Sequence, residues 1–245
     1  MDSTSLEQIE KLNEWIKHSN NIVFFGGAGV STESGIPDFR SKDGLYNQKY
    51  KFQPEIILSH QFFLQHTEDF FDFYKDKMNS LSFEPNVTHN FLAALEHSGK
   101  LKAVITQNID GLHQKAGSKN VLELHGSIHR NYCMRCQKEY TAEYVFNSKE
   151  KVPHCACGGI IKPDVVLYGE SLDESVLNRS IQLINDSDML IVGGTSLTVY
   201  PAASLLCYYK KDKLVLINKN HTDLDRAANL LINDKLGNVF SRLSI

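Results

Sequence analysis

Ile22-Val23-Phe24-Phe25-Gly26-Gly27-Ala28-Gly29-Val30-Ser31-Thr32-Glu33-Ser34-Gly35-Ile36-Pro37-Asp38-Phe39-Arg40-Ser41 is the stretch on which the fold turns. Its first four residues are a short apolar run, which predicts a buried strand. A strand that runs into small residues and then a Ser/Thr-bearing turn is how an α/β sheet offers backbone N–H groups to a phosphate. Gly27-Ala28-Gly29 lets the backbone approach a pyrophosphate closely. The common dinucleotide fingerprint places a third glycine at position 32, where this chain has Thr32, and adds an acidic residue about 20 residues on. That acidic partner is missing. The block therefore reads as a nucleotide loop of an unusual kind, with Asp38, Phe39 and Arg40 just beyond it, where a ring and a guanidinium would cover a bound cofactor.

The rest of the chain agrees with a layered α/β protein. Leu6–His18 repeats its apolar residues at helical spacing and precedes the strand at 22–25. Residues 43–85 are rich in aromatics and predict short helices forming a cover. Thr88–Ser98 reads as a helix stopped by Gly99. Strands are expected at 101–106, 121–124, 165–167, 189–192 and 214–218, the last being the final central strand. Helices are expected at 174–185 and 202–210, with a mixed tail from Asp223 ending in a helix. Alternating helices and near-continuous apolar strands point to a doubly wound, Rossmann-like parallel sheet. The boundaries expected are a large domain of about 1–42, 86–128 and 163–245. A small one is inserted at about 43–85 (helical) and 129–162 (zinc ribbon).

Composition narrows the function class. The 245 residues carry a net charge of −3 and no basic stripe, which speaks against nucleic acid as a partner. No apolar run reaches the ~18–20 residues of a membrane span. The first residues lack a signal-peptide pattern. A cytoplasmic protein without a membrane partner is expected.

Cys133-x2-Cys136 and Cys155-x-Cys157 stand 18 residues apart. Two close pairs at that separation suit one tetrahedral tetrathiolate zinc. Four sulfurs leave no position open for water, so the zinc is read as structural. Gly158-Gly159 supplies the tight turn, and His154 is a bystander. The fifth cysteine, Cys207, reads as a buried small hydrophobe.

The candidate chemical centre begins at the carboxyl end of a strand, in Thr106-Gln107-Asn108-Ile109-Asp110-Gly111-Leu112-His113. Gln107, Asn108 and Asp110 suit sugar hydroxyls and a carboxamide. Leu124-His125-Gly126 ends the next strand, and a histidine there suits a general base. His113, one helical turn past Asp110, competes for that role. His18, His60, His66 and His97 are assigned to surfaces. Gly194-Thr195-Ser196 comes after a third strand and offers further donors, and Asn218 ends the last one, within reach of an adenine ribose. With no Walker lysine and no dehydrogenase acid–base pattern, these residues suit a dinucleotide used as a substrate.

Together, the block from Gly27 to Arg40, the run from Thr106 to His113, Leu124-His125-Gly126, the four cysteines, Val166-Leu167-Tyr168-Gly169-Glu170 and Gly194-Thr195-Ser196-Leu197 resemble the sirtuins. These are NAD-dependent protein-lysine deacylases, and the likeness runs from about residue 20 to the end. The resemblance implies that an acyl-lysine oxygen displaces nicotinamide from the NAD ribose, giving an alkylimidate. His125 then deprotonates a ribose hydroxyl that attacks it. Free lysine, nicotinamide and O-acetyl-ADP-ribose result. It implies catalytic roles for His125 and Asn108. NAD contacts are implied at Gly27, Ala28, Gly29, Thr32, Asp38, Phe39, Arg40, Gln107, Asn108, Ile109, Asp110, His125, Gly194, Thr195, Ser196 and Asn218. Substrate contacts are implied at Val166, Leu167, Tyr168, Gly169 and Glu170, by strand addition. Acetylated proteins are the implied partners, with nicotinamide as product inhibitor. Relatives that prefer acidic acyl groups pair a Tyr with an Arg three residues on. Here Tyr74 is paired in that spacing with Lys77, which implies acetyl over succinyl. The rival readings are a mono-ADP-ribosyltransferase and a non-enzymatic acyl-lysine binding module.

Overall fold

The computed structural model describes residues 3–39, 44–47 and 50–245, so Arg40 lies outside the described residues. Among them, nine strands occur in order: β1 (Ile22–Gly26), β2 (Leu101–Thr106), β3 (Val121–Glu123), β4 (Gly126–Cys133), β5 (Glu139–Tyr140), β6 (Ile161–Val165), β7 (Met189–Gly193), β8 (Leu214–Ile217) and β9 (Leu230–Ile232). The α-helices are α1 (Ser3–Lys17), α2 (Pro54–Ile57), α3 (His60–Gln65), α4 (Thr67–Lys77), α5 (Val87–His97), α6 (Leu112–Lys115), α7 (Ala142–Phe146), α8 (Glu174–Asp186) and α9 (Leu236–Phe240). None is long and apolar enough to cross a membrane.

Six strands form one parallel sheet in the order β3-β2-β1-β7-β8-β9. Successive side chains of a strand point to opposite faces, and β1 shows the consequence. Ile22 and Phe24 pack with α1, α5 and α9 on one side. Val23 and Phe25 pack with Leu190, Val192, Leu216 and residues 202–206 on the other. Both faces are covered, which explains why the strands read as continuous apolar runs rather than alternating ones. The chain winds outward from β1 to β3 and then restarts at β7 on β1's other edge. The topological switch therefore lies between β1 and β7.

A second, three-stranded antiparallel sheet has the order β5-β4-β6. It shares a core with the aromatic segment: Phe63, Phe70, Phe71 and Tyr74 pack with Ile128, Cys133 and Ile161. Burying each such ring contributes roughly 1.5–3 kcal/mol, enough to hold the short helices α2 to α4 that propensity alone would not.

Several expectations are corrected. The strand expected at 165–167 is Ile161–Val165 and belongs to the small sheet, antiparallel to β4. The helix expected at 202–210 is a 3-10 stretch, Ala202–Tyr208. β8 is not the outermost strand on its side: β9 adds beyond it, only three residues long and hidden in a mixed tail. Cys207 is exposed rather than buried. The helix near 88–98 forms as α5, because Asn86 accepts from the N–H groups of Thr88 (3.0 Å) and His89 (3.5 Å) at its start.

Candidate active site

The sheet register sets four strand ends level. Gly26 pairs with Thr106 of β2 and with Gly193 of β7, and Gly193 pairs with Ile217 of β8. The next residues along each chain, Gly27, Gln107, Gly194 and Asn218, therefore emerge side by side at the switch point, where open α/β sheets bind ligands. They line a cavity of about 710 Å³.

The glycines of the first loop do a different job from the one their spacing suggests. A Cβ on Gly29 would lie 2.7 Å from the Gly194 Cα, and one on Gly27 would lie 2.8 Å from the Thr195 Cβ. Gly29 N–H donates to the Gly194 carbonyl at 2.8 Å. The loops after β1 and β7 are thus in contact, and the glycines permit that contact. The chain then makes two 3-10 turns, Ala28–Val30 and Thr32–Ser34, rather than a long helix.

His125 sits between β3 and β4 on the cavity wall. Its Nδ1 lies 3.0 Å from the Gln107 carbonyl oxygen. A carbonyl only accepts, so Nδ1 carries the proton and Nε2 is left as a base. Burial pushes the imidazole pKa below its ordinary 6.5, against the pull of that carbonyl. The ring is neutral at pH 7. Gly126 is required immediately after it: at φ +73° a Cβ there would collide with the Asp164 carbonyl oxygen.

His113 is placed differently. It is 1 % exposed, its ring centroid lies 4.7 Å from that of His89 and 6.2 Å from that of Phe24, and neither ring nitrogen has a hydrogen-bond partner among the described residues. Burial, then His89, holds its pKa down at about 3. It packs in the core while His125 faces the cavity.

Asp110 and Asn108 are joined by Ser31. The Ser31 hydroxyl donates to Asp110 Oδ2 at 2.6 Å and accepts from Asn108 Nδ2 at 3.1 Å. Leu112 N–H donates to Asp110 Oδ1 at 2.9 Å. Burial raises the Asp110 carboxyl, and the Ser31 and Leu112 donors oppose it. Ser31 is 1 % exposed, and its role is not evident from sequence. Ser31 and Thr32 are adjacent hydroxyls, and only the turn geometry decides which one faces inward. Thr32 lies off the cavity wall and donates to the Gly29 carbonyl at 3.0 Å.

The remaining wall is continuous. Asp38 and Phe39 line it on one side, Ala28, Ile109, Thr195 and Ser196 line it further along, and Val166, Leu167, Tyr168, Gly169 and Glu170 line another flank. Gln107 Nε2 donates to Thr195 Oγ1 at 3.0 Å, and Thr195 N–H donates to Asn218 Oδ1 at 3.1 Å. Lys219, Asn220, His221 and Thr222 extend the wall beyond Asn218. They come directly after β8, and the end of that strand is the one sequence signal that points to them. Tyr74 and Lys77 also line the cavity. Tyr74 stacks between Phe70 and Phe146, and its buried hydroxyl has no hydrogen-bond partner among the described residues.

The four cysteines converge away from this crevice. Their sulfurs all lie within 4.8 Å of one another, with Cys133–Cys157 at 3.4 Å and Cys136–Cys155 at 3.6 Å. An ion about 2.3 Å from each sulfur in a tetrahedron sets the sulfurs roughly 3.8 Å apart, so the donor set fits one zinc with every position filled. Gly159 is needed there, because a Cβ would lie 2.7 Å from Cys133 Sγ.

Comparison with known proteins agrees with this geometry. The sequence profile of the Sir2 family matches residues 27–201. The chain is 61 % identical over 233 residues to an NAD-dependent protein deacetylase of Clostridium tetani, covering 94 % of each. It is 58 % identical to one of Clostridium acetobutylicum, covering 96 % of this chain and 97 % of that one. A solved Sir2 with a p53 peptide and NAD+ superposes with a TM-score of 0.85 at 39 % identity, covering 96 % of both chains. A Sir2 bound to acetylated peptide does so at 0.86 and 38 %, again over 96 % of both. The chain belongs to the Sir2 family, the sirtuins.

Proposed function

We infer that the chain is an NAD-dependent protein-lysine deacetylase. It transfers the acetyl group of an acetylated lysine to ADP-ribose and releases nicotinamide, O-acetyl-ADP-ribose and free lysine. One observation carries the reading most directly. His125 presents an unprotonated Nε2 to a crevice whose walls hold phosphate-, ribose- and carboxamide-type partners. NAD supplies a ribose carbon from which nicotinamide departs.

The chain's own residues do the rest. The Ala28 N–H and the Thr195 and Ser196 hydroxyls offer donors to the pyrophosphate, Gly27 and Gly29 hold the two loops close enough for it with their own N–H groups bonded to the Gly193 and Gly194 carbonyls, and Asn218 faces the adenosine end. Asn108 and Asp110, locked together through Ser31, hold the nicotinamide end with Ile109 and Phe39. His125 Nε2 takes the proton of a ribose hydroxyl and is oriented for it by the Gln107 carbonyl. Segment 166–170 docks the substrate peptide. The same reading carries nicotinamide as product inhibitor and a division into a sheet domain and an inserted helical and cysteine domain. One zinc held by Cys133, Cys136, Cys155 and Cys157 ties the small sheet together and takes no part in the chemistry. The test is an acetyl-lysine peptide incubated with the protein, with and without NAD. Deacetylation that needs NAD supports the reading, and deacetylation without NAD contradicts it.

Acetyl is the preferred acyl group in this reading. Lys77 Nζ is already engaged with Asp76 at 2.9 Å, and a lone ammonium cannot grip a distal carboxylate with two hydrogen bonds. Matched acetyl and succinyl peptides should differ in kcat/KM in favour of acetyl. A preference for succinyl would contradict this part of the reading.

A further inference from the structure

Segment 166–170 belongs to neither sheet, yet it is anchored throughout. Val166 N–H donates to the His125 carbonyl at 3.0 Å. Tyr168 N–H donates to the Leu58 carbonyl and its own carbonyl accepts from His60 N–H, both at 2.9 Å, forming a parallel bridge with Ser59. Gly169, at φ +90°, turns the chain so that Glu170 folds back. The Glu170 N–H then donates to the Leu167 carbonyl at 2.9 Å, and Glu170 Oε2 accepts from Leu167 N–H at 2.8 Å.

The Glu170 carboxylate gathers two further elements. His60 Nδ1, at the start of α3, lies 2.7 Å from Oε1, and Lys162 Nζ, on β6, lies 3.2 Å from Oε2. The Glu170 and Lys162 side chains are only 21 % and 20 % exposed. A carboxylate so placed costs free energy to desolvate unless its oxygens are occupied. Here both are, and the Leu167 amide, His60 and Lys162 hold its pKa below the usual range despite burial. His60, read from sequence as a surface residue, is part of this node.

We propose that Glu170, held by His60 and Lys162, is a positioning residue for the acyl-peptide. Its side chain keeps segment 166–168 extended and the turn at Gly169 closed, the shape that accepts the peptide as an added strand, and it acts through that backbone without touching the acyl-lysine. The proposal rests on the deacetylase reading for the segment's role. Strand addition draws its affinity from main-chain hydrogen bonds, so a segment already held in its docking shape loses less freedom on binding. Cutting one staple should weaken peptide binding and leave the NAD-facing groups at the strand ends, Gly27, Gln107 and Asn218, unchanged, because none of them bonds to Glu170, His60 or Lys162.

The test uses the full chain. Binding of a labelled acetyl-lysine peptide is monitored by fluorescence anisotropy, and KM is measured separately for peptide and for NAD. Glu170→Gln removes the charge with little change of shape and should weaken peptide Kd and raise peptide KM about tenfold, the scale for losing a charge-assisted hydrogen bond. KM for NAD should stay within about twofold. Lys162→Met and His60→Leu should act in the same direction, and Lys162→Arg should restore peptide binding. Unchanged peptide Kd in all three, or peptide and NAD KM rising together with a fall in Tm, overturns the proposal. Should Glu170→Gln fail to fold, the Lys162 and His60 variants decide by the same criterion. If the wild-type chain binds the peptide but does not deacetylate it, the deacetylase reading fails, while the anisotropy comparison still decides the positioning role. If the wild-type chain does not bind the peptide, both fail.

Discussion

The crevice at the strand ends and the four-cysteine cluster are built alike and end differently. Each brings residues from separate segments together across glycine-permitted close contacts, Gly29 against Gly194 in one and Gly159 against Cys133 in the other. In the cluster every sulfur faces another sulfur, so the donor set is closed. In the crevice the polar groups are tied from behind, Asn108 to Ser31 and His125 to the Gln107 carbonyl, and their free atoms face the cavity. A closed set of ligands contributes folding energy. A set satisfied on one side only does chemistry. Variants should therefore separate cleanly: those in the crevice lose turnover and keep Tm, and those in the cluster lose Tm.

The sharpest separation is expected at His125. His125→Ala should lower kcat/KM roughly 10²- to 10⁴-fold, the scale for removing a general base, with Tm and zinc content unchanged. Near-wild-type turnover would end the assignment. The same base predicts an acid limb in the pH profile of kcat/KM, below the ordinary histidine range because its pKa is lowered. The cluster should behave in reverse. Cys155→Ser, or prolonged chelation, should release one zinc per chain and lower Tm by on the order of 10 °C. A variant that keeps Tm but loses turnover would break the comparison.

Asp110→Asn is a subtler probe. Both carboxylate oxygens accept, from Ser31 and from Leu112. An amide NH₂ would face one of those donors, at a cost of about 1–3 kcal/mol to the loop that shapes this end of the crevice, so this variant, unlike His125→Ala, should also lose several degrees of Tm. KM for NAD and the nicotinamide inhibition constant should both rise roughly tenfold or more. If nicotinamide inhibition is unaffected, Asp110 does not hold that end of the cofactor.

The smallest effect concerns two histidines outside both regions. His113 and His89 are buried with pKa values pushed down to about 3 and about 4 by burial. The unfolded chain takes up these protons from about pH 6.5 downward and the folded chain does not. Their contribution to stability is thus complete above pH 6.5 and shrinks as pH falls toward 4. Tm should fall over that interval, and less steeply in His113→Phe. An identical slope in the variant would assign the acid sensitivity elsewhere.

Most of the parallel sheet was legible because a strand buried on both faces is written as an apolar run, as in Ile22–Phe25 and Met189–Val192. The small sheet was not. β4 has exposed His129 and Arg130 at its centre, which breaks its alternation, and β6 alternates Ile161, Pro163 and Val165 with Lys162 and Asp164 but has a proline at its centre, which argues against a strand. β9, no shorter than β3, escaped because its three apolar residues stand inside a mixed tail between Asn229 and Asn233-Asp234. Within the site, the residues at strand ends were readable from the strands that precede them. Ser31 was not, because its role depends on Asn108 and Asp110, some 80 residues away along the chain and adjacent only after β1 and β2 pair. The choice between His125 and His113 likewise needed the fold. Both come after a strand, and only the fold turns one toward the cavity and the other into the core.

The most direct test of the account is the product balance of the wild-type chain acting on an acetyl-lysine peptide. Nicotinamide, deacetylated peptide and O-acetyl-ADP-ribose should appear in equal amounts, each in step with the NAD consumed. Nicotinamide released together with ADP-ribose attached to protein, while the peptide keeps its acetyl group, would contradict it.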